Sequence, residues 1–135
     1  MQLFELAFRR CDGHGCGGFG DSRGSRKHNG VDLICQAGAR VRSPVSGRVT
    51  KLGYCYADDL NFRYVEVSSH GYRFRIFYVE PLVAVGDEVS RKTFIGVAQS
   101  IASRYQGITP HVHFELMNAG GEFIDPTPVI LAQQP

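Results

Sequence analysis

The sequence predicts an all-β protein, an antiparallel β-sheet or sandwich with long N-terminal loops. Three observations lead there. Short stretches alternate apolar and polar residues, turn residues separate them at intervals of roughly eight to twelve positions, and no long window shows a 3.6-residue apolar period. Regular short strands of this kind pack as sandwiches or barrels.

Taken in chain order, the Asn29-Gly30 turn leads into a strand at Val31–Cys35, and Ser46-Gly47 into one at Arg48–Leu52. In Tyr64–Ser68, Val65 and Val67 alternate with polar neighbours. Tyr72–Val79 is the clearest case, predicted to place Tyr72, Phe74, Ile76 and Tyr78 on one face and Arg73 and Arg75 on the other. The stretch between these two, Ser68-Ser69-His70-Gly71, reads as an exposed hairpin turn. Val85–Val89 reads as another hairpin turn, before strands at Phe94–Ala98 and His111–Leu116. Single helical turns are expected at Leu3–Phe8 and Gln99–Tyr105, and little other helix anywhere.

Length suits one domain over residues 1–135, with residues 1–27 as an N-terminal extension. Apolar residues make up 43%, with nine Phe and six Tyr, enough burial to exclude a disordered chain. No apolar run is long enough to span a membrane, and MQLFELAFRR lacks the pattern of a signal peptide. A net charge of +2 is too mild to argue for nucleic acid. The charge is uneven, however. Nine Lys/Arg against four Asp/Glu in residues 1–51 leave a basic surface for which a heparin-like polyanion, held by Arg23, Arg26 and Lys27, is a candidate partner. Four cysteines allow three full pairings. Cys11 and Cys16 enclose a short glycine-containing loop, so a local disulfide is the preferred reading; it implies an oxidising, extracellular setting.

The chemistry concentrates in two segments. His28-Asn29-Gly30-Val31-Asp32 can bring an imidazole and a carboxylate together through a tight turn. In His111-Val112-His113-Phe114-Glu115-Leu116, strand alternation puts His111, His113 and Glu115 on one face while Val112, Phe114 and Leu116 enter the core. Any one histidine has an ordinary reading as a surface or hydrogen-bonded core residue. Two adjacent imidazoles with a nearby carboxylate favour Zn²⁺, which takes neutral imidazole and carboxylate and, in catalytic sites, keeps a fourth position open.

These segments resemble the H-x-x-x-D and H-x-H motifs of the lysostaphin/LytM-type zinc metallopeptidases. The resemblance continues through Ser43-Pro44-Val45-Ser46-Gly47, Val85–Val89 before Ile95-Gly96, and Asp125-Pro126. It implies that fold, zinc bound by His28, Asp32 and His113, and His111 as a catalytic imidazole beside the metal. A second catalytic histidine of the peptidases falls at Tyr78-Val79-Glu80-Pro81, where Glu80 stands instead. Glu80 is a candidate replacement base, and its plain reading is a surface carboxylate. The family's chemotaxin branch is more similar still, through Cys11-Asp12-Gly13-His14-Gly15-Cys16-Gly17, Gly30–Cys35 and Tyr105–Ile108. That resemblance implies a secreted zinc-binding signalling protein with a receptor or peptide ligand and weak or absent peptidase action. It also implies the Cys11–Cys16 bridge, and it leaves the pairing of Cys35 and Cys55 open. The alternative is a zinc metalloendopeptidase acting on peptidoglycan or glycine-rich peptides.

Overall fold

The computed structural model describes residues 8–9, 17–23 and 26–132, of which 22, 23, 26 and 27 are described by backbone alone. The predicted Cys11–Cys16 bridge, His14 and most of the Leu3–Phe8 turn lie outside the described residues, as do the side chains of Arg23, Arg26 and Lys27. Twelve strands follow one another: β1 (Ser22–Arg23), β2 (Arg26–Lys27), β3 (Gly30–Ile34), β4 (Arg40–Arg42), β5 (Gly47–Tyr56), β6 (Asp59–Ser69), β7 (Tyr72–Phe77), β8 (Val79–Pro81), β9 (Glu88–Val89), β10 (Phe94–Ala98), β11 (His111–Met117) and β12 (Phe123–Ile124). One short helix, α1 (Thr127–Leu131), closes the described chain. Among the described residues no helix is long and apolar enough to cross a membrane.

The main sheet runs β12-β11-β7-β6-β5-β9, with β3 added beside β11. A second sheet, β4-β10-β8, packs near it, and every pairing is antiparallel. Strand alternation assigns the faces. Val31 and Leu33 on β3, Val65 and Val67 on β6, Phe74 and Ile76 on β7, and Val112 and Phe114 on β11 are all buried in one core. Removing one such ring, Phe114 to Ala, carries a penalty of ~3–5 kcal/mol from lost burial and the cavity left behind. Hairpin β6–β7 turns on His70 and Gly71, both left-handed (φ 50° and 83°), the conformation a two-residue turn between twisted strands requires.

Two expectations need correction. Tyr72–Val79 is not one strand: β7 stops at Phe77, Tyr78 adopts a left-handed backbone (φ 72°), and β8 resumes in the other sheet against β10. Tyr78 therefore leaves the face it was expected to share with Phe74 and Ile76, and Tyr72 is exposed. The turn at Val85–Val89 forms, with Asp87 N–H donating to the Ala84 carbonyl. It is not a hairpin, because β8 pairs with β10 while β9 pairs with β5. By contrast, Phe94–Ala98 is a strand over the expected residues, and a single turn closes near Tyr105 through its N–H to the Ile101 carbonyl.

On the face away from the core, register lines residues into rows. One row reads Asp32, His113, Phe77, Tyr64 and Gly53 across β3, β11, β7, β6 and β5. Phe77 stacks on Tyr64 (centroids 4.9 Å apart) and meets the His113 ring edge-on at 5.1 Å. The next row is charged: Glu115, Arg75, Glu66 and Lys51. Within it, buried Glu66 accepts from Arg75 Nε at 2.7 Å and from the Thr50 hydroxyl at 2.9 Å. Burial alone would raise the Glu66 pKa, but these donors outweigh it and hold the carboxyl below its usual range. Its stabilisation is therefore present above the ordinary glutamate pKa of about 4.3 and lost as pH falls through the lower folded value. Glu66→Gln is expected to cost ~1.5–3 kcal/mol at pH 7. Urea midpoints at pH 7 and pH 3 check this, since the gap between the two proteins should close at the acid end.

Candidate metal centre

His28 follows β2 at the turn into β3, Asp32 is the middle residue of β3, and His113 stands on β11 directly opposite Asp32. The structure brings these three together, with one donor atom from each lying within 4.8 Å of the others. His28 Nε2 is 3.1 Å from His113 Nδ1 and 3.3 Å from Asp32 Oδ1, and His113 Nδ1 is 2.8 Å from that same oxygen. Four donors around Zn²⁺ at about 2.0–2.1 Å would be separated by about 3.3 Å, so the triangle is the right size with little adjustment.

Hydrogen bonding sets the tautomers. The far nitrogen of His28, Nδ1, donates to the Gly18 carbonyl at 2.9 Å. The far nitrogen of His113, Nε2, donates to Glu115 at 3.0 Å. The proton on each ring is thereby placed away from the centre, which leaves two imidazole lone pairs and a carboxylate oxygen converging on one point. Such a set is repulsive unless a cation or a proton occupies the middle, and a carboxylate behind a ligating histidine also raises its basicity. Without metal the proton serves. Burial alone would depress His113, but hydrogen bonds to Asp32 and Glu115 hold its pKa up at about 9. Asp32 is driven well below the carboxylate range by the bonds from His113 and His28, against its burial. Its second oxygen, Oδ2, accepts from Arg9 Nη1 at 2.8 Å in a pair almost wholly out of solvent.

His111 stands one alternation away on β11, buried, with Nδ1–H donating to the Thr109 carbonyl at 2.7 Å. Its Nε2 lies 3.5 Å from Asp32 Oδ2, and burial pushes its pKa down, so the ring is neutral and offers a lone pair. A cavity of about 600 Å³ opens over the three-residue cluster, lined also by His111, Phe77, Ile108, Tyr56, Tyr78 and Tyr105. Glu80 is exposed on β8 and is not among the cavity's lining residues. Cys55 does line it, donating its thiol to the Arg63 carbonyl, with burial pushing its pKa up to about 12. Cys55 and buried Cys35 are both free thiols, so the two are not bridged to each other.

Residues 26–126 match Peptidase family M23. The chain belongs to that family. It is similar to leukocyte cell-derived chemotaxin-2 of Bos taurus and of Mus musculus, 31% identical to each over 79% of this chain and 71% of theirs. Among solved structures it is similar in fold to LytU (TM-score 0.73, 23% identity, 88% of this chain and 85% of that one). Lysostaphin from Staphylococcus simulans is similar too (TM-score 0.72, 22% identity, 96% of this chain and 52% of that one). Family M23 proteins are typically metal-dependent, and the His28–Asp32–His113 cluster is a possible metal site of that kind.

Several residues of this M23 site carry no signal in the sequence. Arg9 sits in an extension that reads as loop, and its ion pair with Asp32 spans 23 positions. Tyr56 and Tyr78 carry no site signal and Tyr105 only the resemblance of its segment, and the three are gathered by the tertiary fold. Gly30 gives a clearer signal in retrospect. A Cβ there would collide with the Phe114 carbonyl oxygen and come within 2.9 Å of His113 Cε1, so glycine is what lets β3 close on β11. Gly30→Ala is expected to cost ~1–3 kcal/mol by overpacking and to weaken metal binding at least ~tenfold. Thermal melts and competition with a chromophoric chelator measure both.

Proposed function

We propose that this chain is a zinc-binding protein of the chemotaxin type that acts outside the cell. On this reading the metal centre recognises a receptor or peptide ligand and has little or no peptidase action. The donor set of two imidazoles and a carboxylate favours zinc over harder ions. The likeness to chemotaxin-2 over 79% of the chain supports the signalling role. The observation that carries the reading is the cavity wall. Beside the three-residue cluster stands one neutral imidazole, His111, with the Tyr78 ring edge-on against it, and the wall also carries Tyr56 and Tyr105.

Zinc held there would polarise a bound oxygen and make a nearby water more acidic. His111 is placed to accept a proton or to hydrogen-bond a ligand. Burial keeps the phenols of Tyr56 and Tyr78 protonated, so they can donate hydrogen bonds but do not serve as bases. Glu115, the remaining carboxylate in the wall, is engaged by His113. A hydrolase lacking one donor to the developing oxyanion gives up ~10²–10³ in turnover. The test is cleavage of pentaglycine and of purified peptidoglycan by the zinc-loaded protein. Turnover at least ~10²-fold below an ordinary enzyme's ~10 s⁻¹ is expected. Ordinary turnover that His111→Ala abolishes and Glu80→Gln lowers tenfold would instead establish the metalloendopeptidase. Binding of a heparin-like polyanion by Arg23, Arg26 and Lys27 is compatible with either role. Retention on heparin that weakens steeply with salt tests it.

A further inference from the structure

Asp32 is held from behind by the N-terminal extension. Phe8 forms an antiparallel bridge with Leu33, the Arg9 N–H donates to the Asp32 carbonyl at 2.7 Å, and the Asp32 N–H donates to the Gly17 carbonyl at 2.8 Å. Both backbone polar groups of Asp32 are thus turned away from β11. Opposite His113 it therefore forms the closer, non-hydrogen-bonded kind of antiparallel pair. A Cβ at Gly17 would lie 2.5 Å from the Arg9 carbonyl oxygen and 2.8 Å from the Arg9 Cβ, so glycine is what lets the two stretches pass. The same close approach aims the Arg9 side chain. Its Nη1 donates to Asp32 Oδ2 at 2.8 Å, with the two side chains 1% and 3% exposed.

The two carboxylate oxygens are thereby divided. Oδ1 faces His28 and His113, at 3.3 and 2.8 Å, while Oδ2 faces Arg9. His111 Nε2 lies 3.5 Å from Oδ2, but its ring proton is on Nδ1, so it has no hydrogen to give that oxygen. A carboxylate can bind a metal through one oxygen or through both, and the choice changes the coordination number. A guanidinium has no lone pair to offer a metal, keeps its charge at every working pH, and repels a second cation from the oxygen it holds. We propose that Arg9 is a positioning residue of the metal centre: it retains Oδ2, restricts Asp32 to ligation through one oxygen, and so keeps the fourth position open for an incoming ligand. The inference rests on the metal-centre reading above. It also gives the extension a task, because Arg9 lies outside residues 26–126 that match the family. A preference among metals follows. Three donors with an open position suit zinc and cobalt, whereas manganese takes octahedral oxygen sets and gains from a second carboxylate oxygen.

Cobalt-loaded protein provides the test, because four-coordinate cobalt absorbs visible light far more strongly than five- or six-coordinate cobalt. Wild type is expected to bind one cobalt per chain with the intense bands. Arg9→Met removes the guanidinium and keeps an apolar stem. At saturating cobalt it should retain one ion and lose at least ~half of that intensity. Its preference for zinc over manganese, read by competition, should fall ~tenfold. Arg9→Gln, too short to reach Oδ2, carries the same expectations if Arg9→Met does not fold. An Arg9 that only stabilised the fold would weaken both metals alike and leave the saturated spectrum unchanged. That result in the variant that folds, or weak bands in the wild type, would overturn the proposal. Wild-type protein that takes up no cobalt contradicts the metal-centre reading itself, a distinguishable failure.

Discussion

Asp32→Ala is expected to destabilise the fold by ~3–5 kcal/mol even with no metal present. Asp32 is 2% exposed and is the anion around which the site is built. One oxygen faces His28 and His113 and the other faces Arg9. Truncation takes the carboxylate from a guanidinium that is itself 1% exposed and from an imidazole that the same carboxylate keeps charged. Removing one member of a buried pair is costly because the other stays desolvated, and the loss is a large share of the ~5–15 kcal/mol that holds a domain together. Asp32→Asn, which keeps shape and part of the hydrogen bonding, should lose less stability and nearly as much metal affinity. Urea unfolding in chelator measures the first effect and dialysis against zinc the second. A loss below about 1 kcal/mol in Asp32→Ala would show that Arg9 finds equal company elsewhere.

Metal removal has the second large effect. A ligand that binds only the folded state adds RT ln(1 + [L]/Kd), about 4 kcal/mol when free zinc is a thousandfold above Kd. For a chain of this length that corresponds to a melting shift on the order of 10 °C. The shift should also depend on pH, with a sign the site fixes. In the metal-free protein His113 has a raised pKa of about 9. Its pairing with Asp32 is therefore fully stabilising below the ordinary histidine value of about 6.5 and is lost as pH rises through about 9. Zinc runs the other way, because it must displace that proton. The stabilisation by zinc should thus grow from pH 6 to pH 9, and loading at pH 7 should release about one proton per chain. Melts with and without chelator, and calorimetry in two buffers of different ionisation heat, check both statements. A shift independent of pH would exclude His113 as the displaced proton's owner.

What the sequence made legible follows from period two. His111, His113 and Glu115 separate from Val112, Phe114 and Leu116 by strand alternation alone, and Asn29-Gly30 marks the turn that places His28 beside Asp32. Alternation also misled at Tyr78. A pattern running Tyr72, Phe74, Ile76, Tyr78 cannot register one residue adopting a left-handed backbone, and that residue carries the chain from one sheet to the other. The partners behind the cluster were equally hidden. Arg9 and the Gly18 carbonyl reach Asp32 and His28 from a segment with no periodicity, and the tyrosines come from positions 56, 78 and 105. Short motifs report the atoms that converge within one strand or turn. Groups that arrive from distant segments are supplied by packing and leave no local pattern.

Zinc content after equilibrium dialysis, measured by elemental analysis, tests the central claim most directly. One zinc per chain is predicted for the wild type, none for His28→Ala and His113→Ala, and a full complement for His111→Ala and Glu80→Gln. Wild-type protein without zinc, or zinc retained when His28 or His113 is removed, would contradict it.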